Sequence, residues 1–174
     1  MKFLSTSWLI PSFLAISSLT MAASIPAADV AALPAEVRAQ LAARDSASDQ
    51  YLVAAFETRK PELSVAQFID YYDNVHVPII KENMGDSFPL THSRYYLKRQ
   101  NGSDTPVIFG GQLSDFNYDV ITIMTFENEN ALNAFNTKYQ DPTIGGNIQA
   151  SAEKFIISSI LRIIGLNPPH VTYK

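Results

Sequence analysis

Cysteine is missing altogether from this 174-residue chain. That excludes disulfide stabilisation, thiol nucleophiles and every cysteine-bearing zinc set. Histidine is scarce: His76, His92 and His170 fall in three separate segments, without His-x-His or His-Glu-x-x-His spacing. A resident metal is therefore not expected. Haem would find only His76 or His92 as a proximal ligand, with no other feature of the chain calling for it. Charge is also sparse, at 17% of residues, and the 13 Lys and Arg residues are scattered around a net charge of −4. Nothing there forms an electrostatic footprint for nucleic acid. Gly110-Gly111 and Gly145-Gly146 lie outside any strand–turn–helix phosphate pattern, and no Gly-x-Ser-x-Gly elbow occurs. Nucleotide cofactors and the common serine-hydrolase route are not expected either, so the reading carries no cofactor.

What is abundant is apolar surface: 47% of residues are hydrophobic, enough for one core and one domain. The first charged residue after Lys2 is Asp29, and between them lies an apolar run interrupted by Pro11 that ends in small residues at Ala22–Ser24. A short positive start, a Leu/Ile/Phe-rich middle and a small-residue exit read as a secretory signal peptide over residues 1–23. The uncharged run is also long enough for a membrane anchor, but the proline, the many hydroxyl residues and the exit favour cleavage. No stable anchor is expected after removal, and the protein is expected to be secreted or in the secretory pathway. Asn101-Gly102-Ser103, in a polar stretch, is an acceptor for N-glycosylation and agrees with export.

Residues 24–49 are Ala-rich, with two prolines and almost no apolar face. They read as a pro-segment or loosely attached helix. The folded domain is expected over 50–166, with a proline-bearing tail at 167–174. Within it, YLVAAFET (51–58) reads as a strand buried on both faces. Ser64 with Gln67 forms a capping box that opens a helix over 65–76. Pro78 is expected to break that helix just past His76 and to start a second one, which Gly85 ends. THSRYYLKR (91–99) and YDVITIMTFE (118–127) are strands, with a short extended piece near VIFGG between them. A helix follows at NENALNAFNTKY, another opens at Asp141-Pro142 towards Phe155, and IISSILRII (156–164) is expected as the last strand. The order βαββαβ is the ferredoxin-like α+β pattern, one antiparallel sheet with helices on one face. The other face is too apolar for water, so dimerisation sheet to sheet is expected.

These residues carry a family likeness. LSVAQFIDYYDNVHVPI resembles the first-helix signature of the EthD family through Phe68, Tyr72 with Tyr71 beside it, His76 and Pro78. Asp119 ahead of an apolar strand with Phe126-Glu127, and Asp141-Pro142 leading to Lys154-Phe155, are similar to further blocks of that family. The resemblance spans residues 51–164. It implies a homodimeric α/β barrel, two ferredoxin-like sheets face to face, and chemistry on aromatic polyketide-type molecules such as decarboxylation or dehydration.

Phe68, Tyr72 and His76 are spaced four apart and share one helical stripe. His76 is then a candidate general acid/base with Tyr72 as its hydrogen-bonding partner, or else part of an aromatic core with the imidazole capping a kink. His92, Arg94 and Tyr96 share one face of a strand, where Arg94 could hold a substrate carboxylate or phenolate; a partly wet strand face is the plainer reading. Asp119, and likewise Glu57, could orient a histidine or simply cap a strand. Phe68, Phe56 and Met124 are expected as pocket walls, with His92, Arg94 and Asp119 as substrate contacts. The leading expectation is a cofactor-independent enzyme acting on an aromatic small molecule by acid/base chemistry: decarboxylation, dehydration or cyclisation. A secreted binder of an apolar ligand, or an oxygenase without cofactor or with haem, stands as the alternative.

Overall fold

The computed structural model describes residues 30–39 and 49–172. The chain divides into two units, Met1–Ala39 and Gln40–Lys174. In the first, residues 35–39 are helical, and the Arg38 N–H donates to the Pro34 carbonyl at 3.0 Å. The expected signal peptide at 1–23 and most of the Ala-rich segment lie outside the described residues. No helix among the described residues is long and apolar enough to cross a membrane.

The second unit begins with β1, Tyr51–Glu57, whose aromatic and aliphatic residues suit a pleated surface. Ser64 and Gln67 make the capping box: the Ser64 hydroxyl accepts from the Gln67 N–H at 3.2 Å and the Gln67 amide oxygen accepts from the Ser64 N–H at 2.9 Å. It opens α1, Val65–Tyr71. Here the structure corrects the expected break. A single π turn, Tyr72–His76, follows, closed by the Val77 N–H on the Tyr72 carbonyl, and the helix runs on as α2, Val77–Met84. Pro78 sits in the first turn of α2, and the wider i→i+5 turn ahead of it absorbs the missing donor without stopping the helix. His76 is thus mid-helix rather than at a carbonyl-rich end.

Gly85 ends α2 with φ at +52°, and Lys138 adds its ammonium to the Met84 carbonyl at 2.8 Å. After β2, Thr91–Tyr96, and β3, Val120–Phe126, come α3, Glu129–Tyr139, and α4, Ile144–Ala152. Asn128 caps α3, and the Asp141 carboxylate accepts from the N–H groups of Thr143 and Ile144, each at 2.9 Å, to start α4. The expected extended piece near VIFGG is not a strand; only an isolated bridge, Arg99 to Pro106, tightens that loop. The last strand is also displaced. Ile156 bridges to Arg59, Ser158–Ile160 forms a 3-10 turn, and β4 is Arg162–Leu166. Ile156 is drawn into the core with Phe68, Tyr72, Val120 and Phe155, so the apolar run splits between core and sheet.

The sheet order is β2-β3-β1-β4, antiparallel throughout, the ferredoxin-like arrangement expected from βαββαβ. Register puts Glu57 opposite Val120, and Thr122 opposite both Ala55 and Arg94. By alternation Glu57, Thr122, His92, Arg94 and Tyr96 share the face that the helices cover. Leu52, Phe56, Tyr95, Ile121, Ile123, Ile164 and Leu166 share the other, where Tyr95, Ile164 and Leu166 are exposed.

One contact constrains the helical layer closely. A Cβ on Gly145 would lie 1.9 Å from the Tyr139 carbonyl oxygen, whereas a Cβ on Gly146 meets nothing within 4 Å. Gly145→Ala is expected to destabilise the unit by roughly 3 kcal/mol, the upper range for overpacking against an unyielding neighbour. Gly146→Ala, gaining helix propensity in open space, is expected to stabilise it by up to about 1 kcal/mol. Urea denaturation midpoints of the two variants check this; a neutral Gly145→Ala would refute the close approach.

Candidate functional site

The helix stripe and the covered sheet face meet around Tyr72. Phe68 and Tyr72 are almost fully buried, their ring centroids 6.2 Å apart. Phe155, arriving from the end of α4, packs at 4.9 Å from Tyr72 and 4.8 Å from His76. Across the sheet, the His92 ring lies 6.0 Å from Tyr72, and the Arg94 guanidinium carbon sits 5.8 Å from the centre of the Tyr72 ring. The structure therefore brings together Phe68, Tyr72, His76, His92 and Arg94. Met124, register partner of His92, lies half-buried on the same face.

At the centre is a group the sequence offered only as an orienting carboxylate or strand cap. Tyr72 donates its phenol to Glu57 Oε1 at 3.0 Å, the Thr122 hydroxyl lies 3.0 Å from Oε2, and the two hydroxyls are 2.9 Å apart. Three oxygen–oxygen edges close a ring. With Glu57 ionised, the two hydroxyl protons serve only two edges; with Glu57 protonated, each edge carries one donor. Burial raises the Glu57 pKa from 4.5 to about 7, against the hydrogen bonds from Tyr72 and Thr122 and the charge of Arg94. Burial and the neighbouring carboxylate likewise hold the Tyr72 phenol well above its usual range, so it stays protonated.

His76 is 5% exposed, and its Nδ1 lies 3.0 Å from the Ser151 hydroxyl, which also stands 3.4 Å from the Tyr71 phenol. Burial, then repulsion from His92, lowers its pKa from 6.5 to about 4. The surroundings thus favour a neutral imidazole, the reverse of what an exposed helix end would have done. His92 is lowered to about 4 by burial and by Arg94. Arg94 Nη1 lies 2.9 Å from His92 Nδ1; a guanidinium only donates, so the His92 proton resides on Nε2. Phe88 stacks on that imidazole at 6.1 Å. Asp73, on the π turn, accepts from Arg94 Nε at 2.6 Å and from the Tyr96 phenol at 2.8 Å.

Two expected site residues lie elsewhere. Phe56 is on the opposite sheet face, edge-on to Tyr118 at 5.2 Å, because an inward Glu57 forces its neighbour outward. Asp119 orients no histidine. It accepts from the Arg59 backbone N–H at 2.8 Å and pairs with the Arg59 and Arg99 guanidinium groups, which tie the ends of β1 and β2 together. Asn101 is exposed in a turn. Two open surface clefts, of about 430 Å³ beside Lys60, Glu62 and Glu153 and about 380 Å³ beside Arg99, Phe116 and Tyr118, are lined by none of Glu57, Phe68, Tyr72, His76, His92 and Arg94. Among the described residues no three His, Cys, Asp or Glu side chains converge as a metal-ligand set. Thr122, Asp73 and Ser151 were missed from sequence. For Glu57 a signal existed: it is a carboxylate at the inward parity of an otherwise apolar strand. Nothing local marks Ser151.

Sheet order, register and the polar cluster on the covered face define a ferredoxin-like α+β domain with a buried acid on its inner face. The chain belongs to the EthD family, whose domain model matches residues 60–159. It is similar to an EthD-like protein from Ralstonia eutropha JMP134, at 12% identity and a TM-score of 0.42, covering 67% of this chain and 91% of that one. It is also similar to a dimeric protein of ferredoxin-like fold from Bacteroides fragilis, at 10% identity and a TM-score of 0.38, covering 68% and 96%. A dimeric ferredoxin-like protein from Thermobifida fusca is 9% identical with a TM-score of 0.36, covering 68% and 90%. No curated protein matches the chain.

Proposed function

We propose that this protein is a cofactor-independent enzyme that moves a proton on an aromatic, polyketide-like small molecule, with Glu57 as the group that carries it. The observation behind this is the Glu57 carboxyl, closed into a hydroxyl ring by Tyr72 and Thr122 inside an apolar layer, with its pKa at about 7. An acid poised at working pH is what decarboxylation, dehydration or ring closure asks for: it gives a proton to carbon or oxygen as CO₂ or water leaves, or takes one as an enol forms. His76, which the sequence suggested for this role, is held neutral against Ser151 and supports Tyr72 from behind through Phe155. The substrate ring would approach along the half-buried His92, Met124 and Phe88.

Dimerisation through the uncovered sheet face and passage through the secretory pathway, with a glycan on Asn101, belong to the same reading. The first is supported by the exposed Tyr95, Ile164 and Leu166, the others by residues 1–23 and the exposed acceptor turn.

The test uses the purified processed chain with ortho-hydroxybenzoic acids and phenolic 1,3-diketones, following CO₂ release and the chromophore. Wild type is expected to show a kcat/KM inflection near pH 7, and Glu57→Gln to slow turnover by roughly 10²–10⁴-fold. A Glu57→Gln protein that turns over at the wild-type rate would overturn the assignment.

A further inference from the structure

The loop between β2 and β3 turns on a dipeptide that occurs once in the chain: Asn101 is the only asparagine followed by glycine. Among the described residues only glycines have a positive φ, and Gly102 stands at +74°. The Ser103 N–H donates to the Gln100 carbonyl at 3.1 Å, so residues 100–103 form a type II turn with Gly102 at its third position. Neither the Gly102 N–H nor the Asn101 side-chain amide is hydrogen-bonded among the described residues. Residues 101–105 are all exposed, and a Cβ at Gly102 would meet nothing within 4 Å.

We propose that Asn101 is a self-modifying site: where it carries no glycan, it converts to aspartate and isoaspartate through a succinimide. The Gly102 nitrogen loses its proton to hydroxide and bonds to Asn101 Cγ; the bond from Cγ to the side-chain nitrogen breaks, and ammonia leaves. Water then opens the five-membered ring at either carbonyl, giving the two acids. Without a Cβ on residue 102 nothing shields the attacking nitrogen. The swing of the Asn101–Gly102 peptide that the attack needs gives up one hydrogen bond of the turn, that from Ser103, while the bond from the Gln100 N–H to the Thr105 carbonyl at 2.9 Å stays closed. Glycan and deamidation exclude each other. A glycan occupies the side-chain nitrogen that must leave, and the acid products have no such nitrogen to glycosylate. The products also change the loop: they add a negative charge close in sequence to Asp104, which pairs with Arg59 at 3.0 Å, and isoaspartate lengthens the backbone inside the turn. Deamidation itself does not rest on the glycan reading; only the exclusion does.

The experiment holds the full processed chain, made in a host without N-glycosylation, at pH 7.5 and 8.5, beside the same chain unfolded in urea. Residue 101 is read by peptide mass mapping, and isoaspartate by methyl transfer from an isoaspartate methyltransferase. Conversion at 101 is expected in the folded chain, about 10-fold faster per pH unit because the attacking nitrogen must be deprotonated. Asn101→Gln is expected to lose it, since closure would need a six-membered ring. Gly102→Ala separates access from strain: an L residue at that φ loosens the turn, yet its Cβ hinders the nitrogen, and conversion is expected to slow. Chain from a glycosylating host is expected to stay intact wherever the glycan is attached, and Ser103→Ala from that host, which lacks the acceptor triplet, to deamidate like the bare chain. A folded chain unmodified at 101 while the unfolded one converts overturns the proposal, because the turn then protects the site. So does methyl transfer that Asn101→Gln leaves unchanged, which places the isoaspartate elsewhere. Conversion beneath an attached glycan overturns the exclusion. A secreted chain that carries no glycan and converts at the bare rate leaves this inference standing and removes the glycan reading.

Discussion

Glu57→Gln is expected to make the domain more stable at pH 8 by about 3 kcal/mol, in the same variant that loses turnover. Glu57 has its pKa raised from 4.5 to about 7 and is 7% exposed. The unfolded carboxyl loses its proton near 4.5 while the folded one keeps it to about 7, so the native state binds more protons across that window. Stability from this group is therefore fully present below pH 4.5 and falls as pH rises to about 7. At pH 8 the ionised carboxylate is a burden on the native state that Tyr72, Thr122 and Arg94 offset only in part, and an amide of the same shape removes it while still meeting Tyr72 and Thr122. The advantage of the variant should shrink on acidification and vanish near pH 4.5. Urea titrations at pH 5, 6.5 and 8 measure it. A variant less stable than wild type at pH 8 would show that Glu57 is a structural ion rather than an acid stored at the expense of stability.

The two buried imidazoles work in the opposite direction, and their effect is the larger one. His76 and His92 each have pKa values lowered from 6.5 to about 4. Unfolded histidines take up protons below 6.5 while the folded ones resist until about 4. Their stabilisation is fully present above pH 6.5 and is lost as pH falls through that window, about 3 kcal/mol for each. Part of the His76 shift is repulsion from His92, so the pair contributes less than twice the single value. In wild type the gain from protonating Glu57 offsets part of this loss, so Glu57→Gln should unfold in acid more steeply. The variants His76→Asn and His92→Asn, whose amides replace Nδ1 in its contacts with Ser151 and Arg94, are expected to flatten the acid limb, and together to remove most of it. An acid limb of unchanged slope in the double variant would place acid sensitivity elsewhere in the molecule.

The elements that follow short-range rules were legible in the sequence. The Ser64–Gln67 box, the Asp141 cap and the alternation of β3 each depend on residues a few positions apart, and each forms as its spacing implies. Errors arose where two short-range signals competed with a distant one. Pro78 reads as a helix break, yet packing of Ile80 and Met84 against Ile148 holds α2 in line, and a π turn takes up the fault. The run 156–164 reads as a strand, yet the core takes Ile156 and leaves the sheet to Arg162–Leu166.

What the amino-acid order determined by itself is the βαββαβ frame, the apolar outer sheet face and the gathering of Phe68, Tyr72 and His76 on one stripe. Periodicity and caps act locally and need no knowledge of the far side of the molecule. Only the tertiary structure decided which titratable groups are buried, and beside which partners. Glu57 meets Tyr72 fifteen residues on and Thr122 sixty-five residues on, and His76 meets Ser151 seventy-five residues on. A pKa is set by desolvation and by such partners, and neither exists until the chain has closed over them.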